Sequence, residues 1–265
     1  MIKSMYSGIS GMKNFQTKLD VIGNNIANVN TYGFKKGRVT FQDLVSQQLA
    51  GATAAQDGGR GGINSKQVGA GSTLGSIDTI HEGATSQFTG RSLDLSIEGE
   101  GYFVVSDGEQ DYYTRSGNFY LDQNGNLTTA EGFIVNGVGG GAITIPNTTQ
   151  SFSISKDGTV NLVDENGQAA VAGTIGLVSF ANTSGLSKVG GNTFIPTANS
   201  GQPTATEAPG ANGTGSINSS MLEMSNVDLS EEFTEMIVAQ RGFQSNSKII
   251  TTSDEILQEL LNLKR

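Results

Sequence analysis

The sequence predicts an α+β protein in which N- and C-terminal helices pair as a coiled-coil inner domain, with an all-β outer domain inserted between them. Two observations predict this fold. Apolar residues recur at steps of three and four at both chain ends, and short alternating segments separated by glycine-containing turns fill the middle. All four prolines lie in the central part. At 265 residues the chain is long enough to bury a core.

The first 30 residues predict one long helix. Its apolar stripe advances by three or four residues at each step, close to a coiled-coil repeat. The stripe consists of Ile2, Met5, Ile9, Met12, Phe15, Leu19, Ile22, Ile26 and Val29. We assign six of these side chains to an assembly seam, namely Met5, Ile9, Met12, Leu19, Ile22 and Ile26.

The C-terminal segment predicts a second long helix. A strict ladder of alternating four- and three-residue steps runs from Leu229 to Leu261, and its other positions include Gln240, Ser247 and Asp254. Seven of its ten positions are apolar, and we assign these to the same seam: Leu229, Phe233, Met236, Phe243, Ile250, Leu257 and Leu261. Asp228 is the predicted N-cap, with Glu231 completing a capping box.

Neither helix is expected to be stable alone. The first contains Gly8, Gly11 and Gly23, each costing about 1 kcal/mol relative to alanine. Residues 1–45 carry a net charge of +4 and residues 221–265 a net charge of −4. The seams are therefore expected to be covered by each other or by other chains.

The predicted domain division has three parts. Residues 1–30 with 226–265 form the inner helical domain, 31–76 an extended arm or linker, and 77–225 the β-rich outer domain. The arm is predicted because 51–76 is rich in glycine, alanine, serine and glutamine.

Within the outer domain, alternation and turn residues predict a series of short strands. A hairpin with a glycine-containing loop is predicted between 119–121 and 127–129. Residues 196–216 are predicted to be a loop. The other predicted strands cover 93–97, 102–105, 152–154, 160–163 and 170–178.

Composition excludes several kinds of chemistry. The chain has no cysteine and one histidine, so disulfides, thiolate zinc sites, cysteine nucleophiles and histidine clusters are excluded. We predict no enzyme activity, no cofactor and no metal, and we expect His81 to be a surface or half-buried strand residue. A net charge of −9 argues against nucleic acid as a partner, and no apolar run is long enough for insertion into a lipid bilayer. No cleaved signal peptide is predicted.

Two short segments stand out. The first, 23–34, holds four asparagines within seven residues, which is more than a helix end requires. The second is the basic cluster Lys35-Lys36-Gly37-Arg38, for which we predict local contacts with acidic neighbours.

The first of these segments lies within LDVIGNNIANVNTYGFKK (19–36), which resembles the N-terminal signature of the bacterial flagellar rod and hook family. SNVDLSEEFTEMIVAQRGFQSN (225–246) resembles that family's C-terminal signature, and segments 90–105 and 113–127 resemble its β domain. The signature residues carried over are Asn24, Asn25, Asn28, Gly33, Phe34, Asn226, Gln240 and Arg241.

The resemblance implies a structural subunit that assembles into a helical polymer of itself around an export channel. Both chain ends look most like hook proteins, so a hook subunit, a flexible joint transmitting torque, is the first expectation. The body length matches a distal rod subunit, a straight drive shaft, which is the alternative. A secreted coiled-coil oligomer or adhesin is a second alternative.

The implied partners are adjacent rod and hook–filament junction proteins, the hook cap during assembly and the flagellar type III export apparatus. The implied location is the hook and basal body, reached by export without a cleaved signal peptide.

Overall fold

The structure is a computed structural model that describes residues 2–54, 61–146, 148–165 and 167–263. The chain divides into two compact units. The first comprises 1–26, 37–78 and 228–265, and the second comprises 27–36 and 79–227. The middle of the chain therefore contributes to both units.

The helices belong to the first unit. α1 spans Ile2–Ala27 and α2 spans Leu229–Leu263, close to the two predicted helices. Asp228 caps α2, because its Oδ1 accepts a hydrogen bond from the backbone N–H of Ser230 at 2.8 Å. The predicted helices and this N-cap are confirmed.

The first unit also contains four strands, β1 (Gly37–Asp43), β2 (Gln47–Ala50), β3 (Lys66–Val68) and β4 (Ser72–Thr79). β1 pairs with β4, and β2 pairs antiparallel with β3. The segment predicted as an arm, 31–76, thus contains strand pairings in its described part, with 55–60 outside the described residues. The sequence did not predict this pairing, because most of these side chains are exposed, and buried and exposed positions do not alternate along the strands.

Both β4 and β1 lie near α1. The buried Asn14 of α1 donates from Nδ2 to Ser72 Oγ of β4 at 2.9 Å, and the rings of Phe15 of α1 and Phe41 of β1 lie 6.3 Å apart. The three-part domain division stays a proposal, and 37–78 belongs to the same compact unit as the helices.

The second unit is built from short strands with all-β topology. Its strands are β5 Ser86–Phe88, β6 Leu95–Glu98, β7 Tyr102–Ser106, β8 Asp111–Thr114, β9 Tyr120–Leu121, β10 Leu127–Thr128, β11 Ile134–Val135, β12 Thr149–Ile154, β13 Thr159–Asp164, β14 Ala169–Thr174, β15 Leu177–Val178, β16 Ser187–Gly190, β17 Thr193–Ile195, β18 Ser216–Ser219 and β19 Met221–Glu223. The main sheet has the order β16-β17-β8-β7-β11-β10-β9, and β15 also pairs with β7. A three-stranded sheet, β12-β13-β14, and the pairs β18-β6 and β19-β5 complete the described strands.

Two apolar clusters hold this unit together. The larger is centred on side chains that the solvent does not reach, such as Leu95, Phe103, Phe119 and Leu177. The smaller contains Tyr102, Tyr113, Phe180 and Phe194, whose rings meet mainly edge to face. The second unit therefore has its own core.

The predicted hairpin is confirmed: β9 and β10 pair antiparallel with Leu127 opposite Leu121. The loop prediction for 196–216 is confirmed over 196–215, where no strand is found. No strand was predicted at the positions of β5, β8, β11, β16, β17, β18 and β19. Across the described ranges, neither helix has the length and apolarity that a membrane span requires.

Candidate functional site

The two helices of the first unit run antiparallel and approach each other through glycine. A Cβ at Gly8 would lie 3.4 Å from Ile250 Cγ1, and one at Gly11 would lie 2.8 Å from Asn246 Nδ2. The tightest approach is at Gly242, where a Cβ would lie 2.5 Å from Cζ of Phe15. The glycines that weaken the isolated helices thus allow close contact between them.

Polar contacts fix the other end of this helix pair. Lys18 forms a salt bridge with Glu235. The buried Asn25 donates from Nδ2 to Glu232 Oε1 at 3.2 Å and to the Gly37 carbonyl at 2.9 Å. The Gly37 N–H donates back to Asn25 Oδ1 at 2.9 Å. One amide side chain therefore ties the start of β1 to both helices.

Part of the predicted seam is buried or half-buried in the first unit, and Ile250 lies against Gly8 of α1. On α1, Ile22 is buried, and Met5, Met12, Leu19 and Ile26 are half-buried. On α2, Met236, Phe243, Ile250 and Leu257 are half-buried. The buried side chains of Glu232, Ala239 and Ser253 lie three or four residues from these positions, on the same face of α2.

The rest of the predicted seam is exposed. Ile9, Leu229, Phe233 and Leu261 are exposed in the first unit. Other apolar side chains outside the predicted ladder are exposed as well, namely Tyr6, Ile237, Val238, Ile249, Ile256, Leu260 and Leu263. Sequence periodicity missed this second set because it follows one ladder, whereas α2 carries apolar residues on more than one face.

The signature residues from both chain ends meet in the second unit. The Gly33 N–H donates to the Glu223 carbonyl at 2.9 Å, and the Asn226 N–H donates to the Phe34 carbonyl at 3.4 Å. Asn226 Oδ1 accepts from the Lys36 N–H at 2.7 Å, while its Nδ2 donates to the Ile80 carbonyl at 2.9 Å. Three chain segments are joined by these bonds.

Gly33 is required in this arrangement for two reasons. Its φ is +68°, a left-handed value that side chains other than glycine adopt at a cost. A Cβ there would also lie 2.6 Å from the Ser116 backbone nitrogen. The asparagine- and glycine-rich segment is therefore more than a helix end.

A buried ion-pair network adjoins this junction. Lys35 Nζ donates to Glu223 Oε1 at 2.7 Å and to the Glu82 carbonyl at 2.7 Å. Arg115 Nη1 donates to Glu223 Oε2 at 3.2 Å, and its Nη2 donates to the Gly99 carbonyl at 2.8 Å. All three charged side chains are almost completely buried. Desolvation lowers the pKa of Lys35, an effect that Glu223 opposes.

The predicted acidic contacts of the basic cluster are confirmed at Lys35, and at Arg38 by its ion pair with Asp78. The roles of Glu223 and Arg115 were not predicted. Nothing in the sequence alone shows that a glutamate 188 residues from Lys35 is buried beside it.

His81 is half-buried beside the smaller cluster and lies outside the strands, so the strand expectation for it is wrong. Its Nδ1 is 2.7 Å from the Tyr102 hydroxyl, and its ring lies 5.2 Å from that of Phe194. Burial, followed by the charges of Lys35, Lys188 and Arg115, lowers the pKa of His81 to about 4. The imidazole is therefore neutral near pH 7.

The remaining signature residues lie outside these contacts. Asn28 Oδ1 accepts from the Thr31 hydroxyl at 3.1 Å at the end of α1. Asn24 is exposed on α1, and Gln240 and Arg241 are exposed on α2. Within the described ranges, no group of three or more histidine and acidic side chains has the arrangement of a metal site.

Three family models match the chain in consecutive order. A model described as a flagella basal body rod protein matches 5–35. The flagellar hook protein FlgE/F/G D1 domain matches 96–162, and the C-terminal model of the flagellar basal body rod FlgEFG proteins matches 218–263. These segments include α2, most of α1 and part of the larger core.

Individual relatives cover the whole chain. The flagellar basal-body rod protein FlgG of Bacillus subtilis is 62% identical over 265 residues, which is 100% of both chains. FlgG of Caulobacter vibrioides is 39% identical over 269 residues, covering 99% of this chain and 100% of that protein. The flagellar hook protein FlgE of Borreliella burgdorferi is 30% identical over a 443-residue alignment that covers both chains fully.

The fold and these matches define a structural protein of the bacterial flagellum, and the relatives confirm that it is not an enzyme. The chain belongs to the family of flagellar basal-body rod and hook proteins. The rod alternative is better supported than the hook expectation, because the relative with 62% identity is a rod protein.

Proposed function

We propose that this chain is a distal rod subunit that assembles with copies of itself into a straight helical tube. The support is the full-length 62% identity to a rod protein of matching length. The hook relatives are 30% and 27% identical, over alignments of 443 and 465 residues, so they contain long segments that this chain lacks.

The observation that carries self-assembly is the exposed apolar set on the helices of the first unit. Phe233 and Ile237 are exposed by 50% and 54%, and Leu261 by 69%. Exposed apolar patches of this kind mark protein–protein contacts. Complete burial of one such side chain contributes about 1.5–3 kcal/mol. A second copy that packs on this face in a head-to-tail manner extends the assembly without closing it.

In this proposal, the subunit lies in the basal body next to other rod proteins and the hook. It reaches that position through the type III export apparatus without a cleaved signal peptide. The hook cap and the hook–filament junction proteins remain partners of the hook alternative.

Immunogold labelling of isolated hook–basal bodies tests the rod proposal. An antibody against 77–220 is expected to label the straight segment, after the surrounding envelope is removed. Label along the curved external segment would make the chain a hook subunit. The absence of label from both would leave the secreted oligomer as the surviving alternative.

A pair of variants tests the assembly surface. Phe233→Asp is expected to prevent polymer formation, since it places a charge on an exposed apolar position. Gln244→Asp, at another exposed position of α2, is the matched control. Ile250 is less suitable, because its side chain also packs against Gly8 within the chain. Polymer yield by sedimentation, with helical content by circular dichroism, is the measurement. Normal assembly of Phe233→Asp would exclude this surface.

A further inference from the structure

The second unit contains a small cavity with a surplus of positive charge. Its volume is about 180 Å³, and it lies between 33–35 and the turn that joins β16 to β17. Lys188, Asn192 and Phe194 line it from the second side. Both sides are tied together, because Asn192 Nδ2 donates to the Tyr32 carbonyl at 3.0 Å. The cavity is therefore part of the folded unit.

Lys188 brings an ammonium group to this cavity without a counter-ion. Its Nζ donates to the Lys35 carbonyl at 2.9 Å and lies 4.8 Å from the centre of the Phe34 ring. Among the residues that the structure describes, no carboxylate forms an ion pair with it. An ammonium group has three N–H donors, so this one keeps donors for a further acceptor. Desolvation lowers the pKa of Lys188.

The surrounding groups do not neutralise this charge. Glu223 is shared by Lys35 and Arg115, so one carboxylate faces two buried cations before Lys188 is added. With Glu131, whose carboxylate lies against the lining residue Gly191, three cations stand against two carboxylates, which leaves a surplus of one positive charge. The low pKa of His81 has the same origin in part, since all three cations contribute to it. Glu131 lies against Gly191 on the side of an adjoining cavity and makes no ion pair with Lys188.

We propose that this cavity binds the carboxylate of an aspartate or glutamate side chain from a second copy of the chain. Each copy carries 25 acidic and 16 basic residues, so carboxylates are abundant on any neighbour. Copies with a net charge of −9 repel one another, and a cationic cavity offsets part of that repulsion at the contact. The inference rests on the proposed self-assembly.

Lys188→Gln tests the inference in the full chain. Glutamine keeps a polar N–H donor on a side chain that is one bond shorter, whereas the charge is removed. The matched control is Lys156→Gln, which removes an exposed lysine from the same unit. We expect Lys188→Gln to slow assembly by about three- to tenfold at low ionic strength, with a smaller difference at high salt. The control is expected to assemble like the parent chain at each ionic strength.

An acetate titration tests the carboxylate-binding site independently of its proposed occupant. Added to the unassembled chain, acetate is expected to shift the amide resonances of 190–193 in the parent and not in Lys188→Gln. It is also expected to slow assembly of the parent. If Lys188→Gln assembles as fast as Lys156→Gln, the second-copy assignment is overturned, even where acetate binds.

If acetate shifts none of these resonances, the carboxylate site itself is overturned. If the proposed self-assembly is wrong, the parent chain itself forms no polymer. The acetate titration still reports on the cavity in that case, so the two failures are distinguishable.

Discussion

Replacing Glu223 by glutamine is the most direct test of how the second unit is held together. The carboxylate is 1% exposed and accepts from Lys35 Nζ at 2.7 Å, Arg115 Nη1 at 3.2 Å and the Ala84 N–H at 3.0 Å. Glutamine keeps one acceptor oxygen and turns the other position into a donor that faces a cation. Two buried cations then lack their shared counter-charge.

The expected loss is large. Removal of one partner from a buried ion pair costs about 3–5 kcal/mol, because the remaining charge stays desolvated and uncompensated. Domains of ordinary size are stable by about 5–15 kcal/mol, so this change removes a substantial share. Asp78→Asn is the control, since it breaks the exposed Arg38–Asp78 pair at 3.8 Å. For that pair we expect about 0–1 kcal/mol.

Urea unfolding of the full chain measures both losses. The near-ultraviolet circular dichroism of the buried Tyr102 and Tyr113 reports on the second unit, which contains both side chains. The far-ultraviolet signal of the helices α1 and α2 reports on the first unit, which contains Asp78. A loss below about 1 kcal/mol for Glu223→Gln would show that the carboxylate does not compensate the two buried cations.

The pH dependence of this variant adds a second readout. Desolvation lowers the pKa of Lys35 in the folded state, and Glu223 raises it in part. Without the carboxylate, the folded-state pKa of Lys35 falls further, while the unfolded-state value stays near the ordinary 10.5. The unfolded state then binds more protons between these two values, so the stability of Glu223→Gln rises with pH across that window. A loss that stays constant up to pH 10 would contradict this account.

Two further predictions concern His81 and Gly242. The folded-state pKa of His81 is about 4 and its ordinary value is 6.5, so stability is expected to fall as the pH decreases from about 6.5 to 4, by at most about 3 kcal/mol. His81→Gln removes the only histidine, and urea unfolding at pH 7.5 and 5 should show a smaller difference for it. If His81→Gln shows the same difference in stability between the two pH values as the parent chain, the pH dependence arises from carboxylates. Gly242→Ala is expected to destabilise the chain relative to Gly23→Ala by more than about 1 kcal/mol in thermal unfolding. A Cβ at Gly242 meets the Phe15 ring, whereas nothing lies within 4 Å of a Cβ at Gly23. Equal effects would exclude a tight contact there.

Sequence periodicity predicted the helices well because both are long and amphipathic. Local residue types also predicted Asp228 as the cap and the β9–β10 hairpin, since both depend on neighbouring residues. It did not predict β1–β4, where exposed polar side chains give no alternating burial.

The composition of the signature segment identified it as unusual, but the residues that it contacts could not be predicted from the sequence. Gly33 and Lys35 bond to Glu223, and Lys36 bonds to Asn226. These pairs lie almost 200 residues apart along the chain, so local pattern carries no signal for them. From the sequence, the hook interpretation ranked ahead of the rod interpretation because of the chain ends. Both kinds of protein share these chain ends, so they could not distinguish the two interpretations.

The antiparallel contact between α1 and α2 joins segments that are more than 200 residues apart along the chain, such as Asn25 and Glu232. A chain that emerges from a ribosome or a narrow channel presents α1 long before α2 exists to cover it. Residues 27–36 and 79–227, which form the second unit, are complete earlier. Pairing over such a separation requires closure of a long loop, which is slow compared with local folding. The helix pair is therefore completed only when the final segment is released, and a chain that ends before Leu229 lacks the partner of α1 entirely.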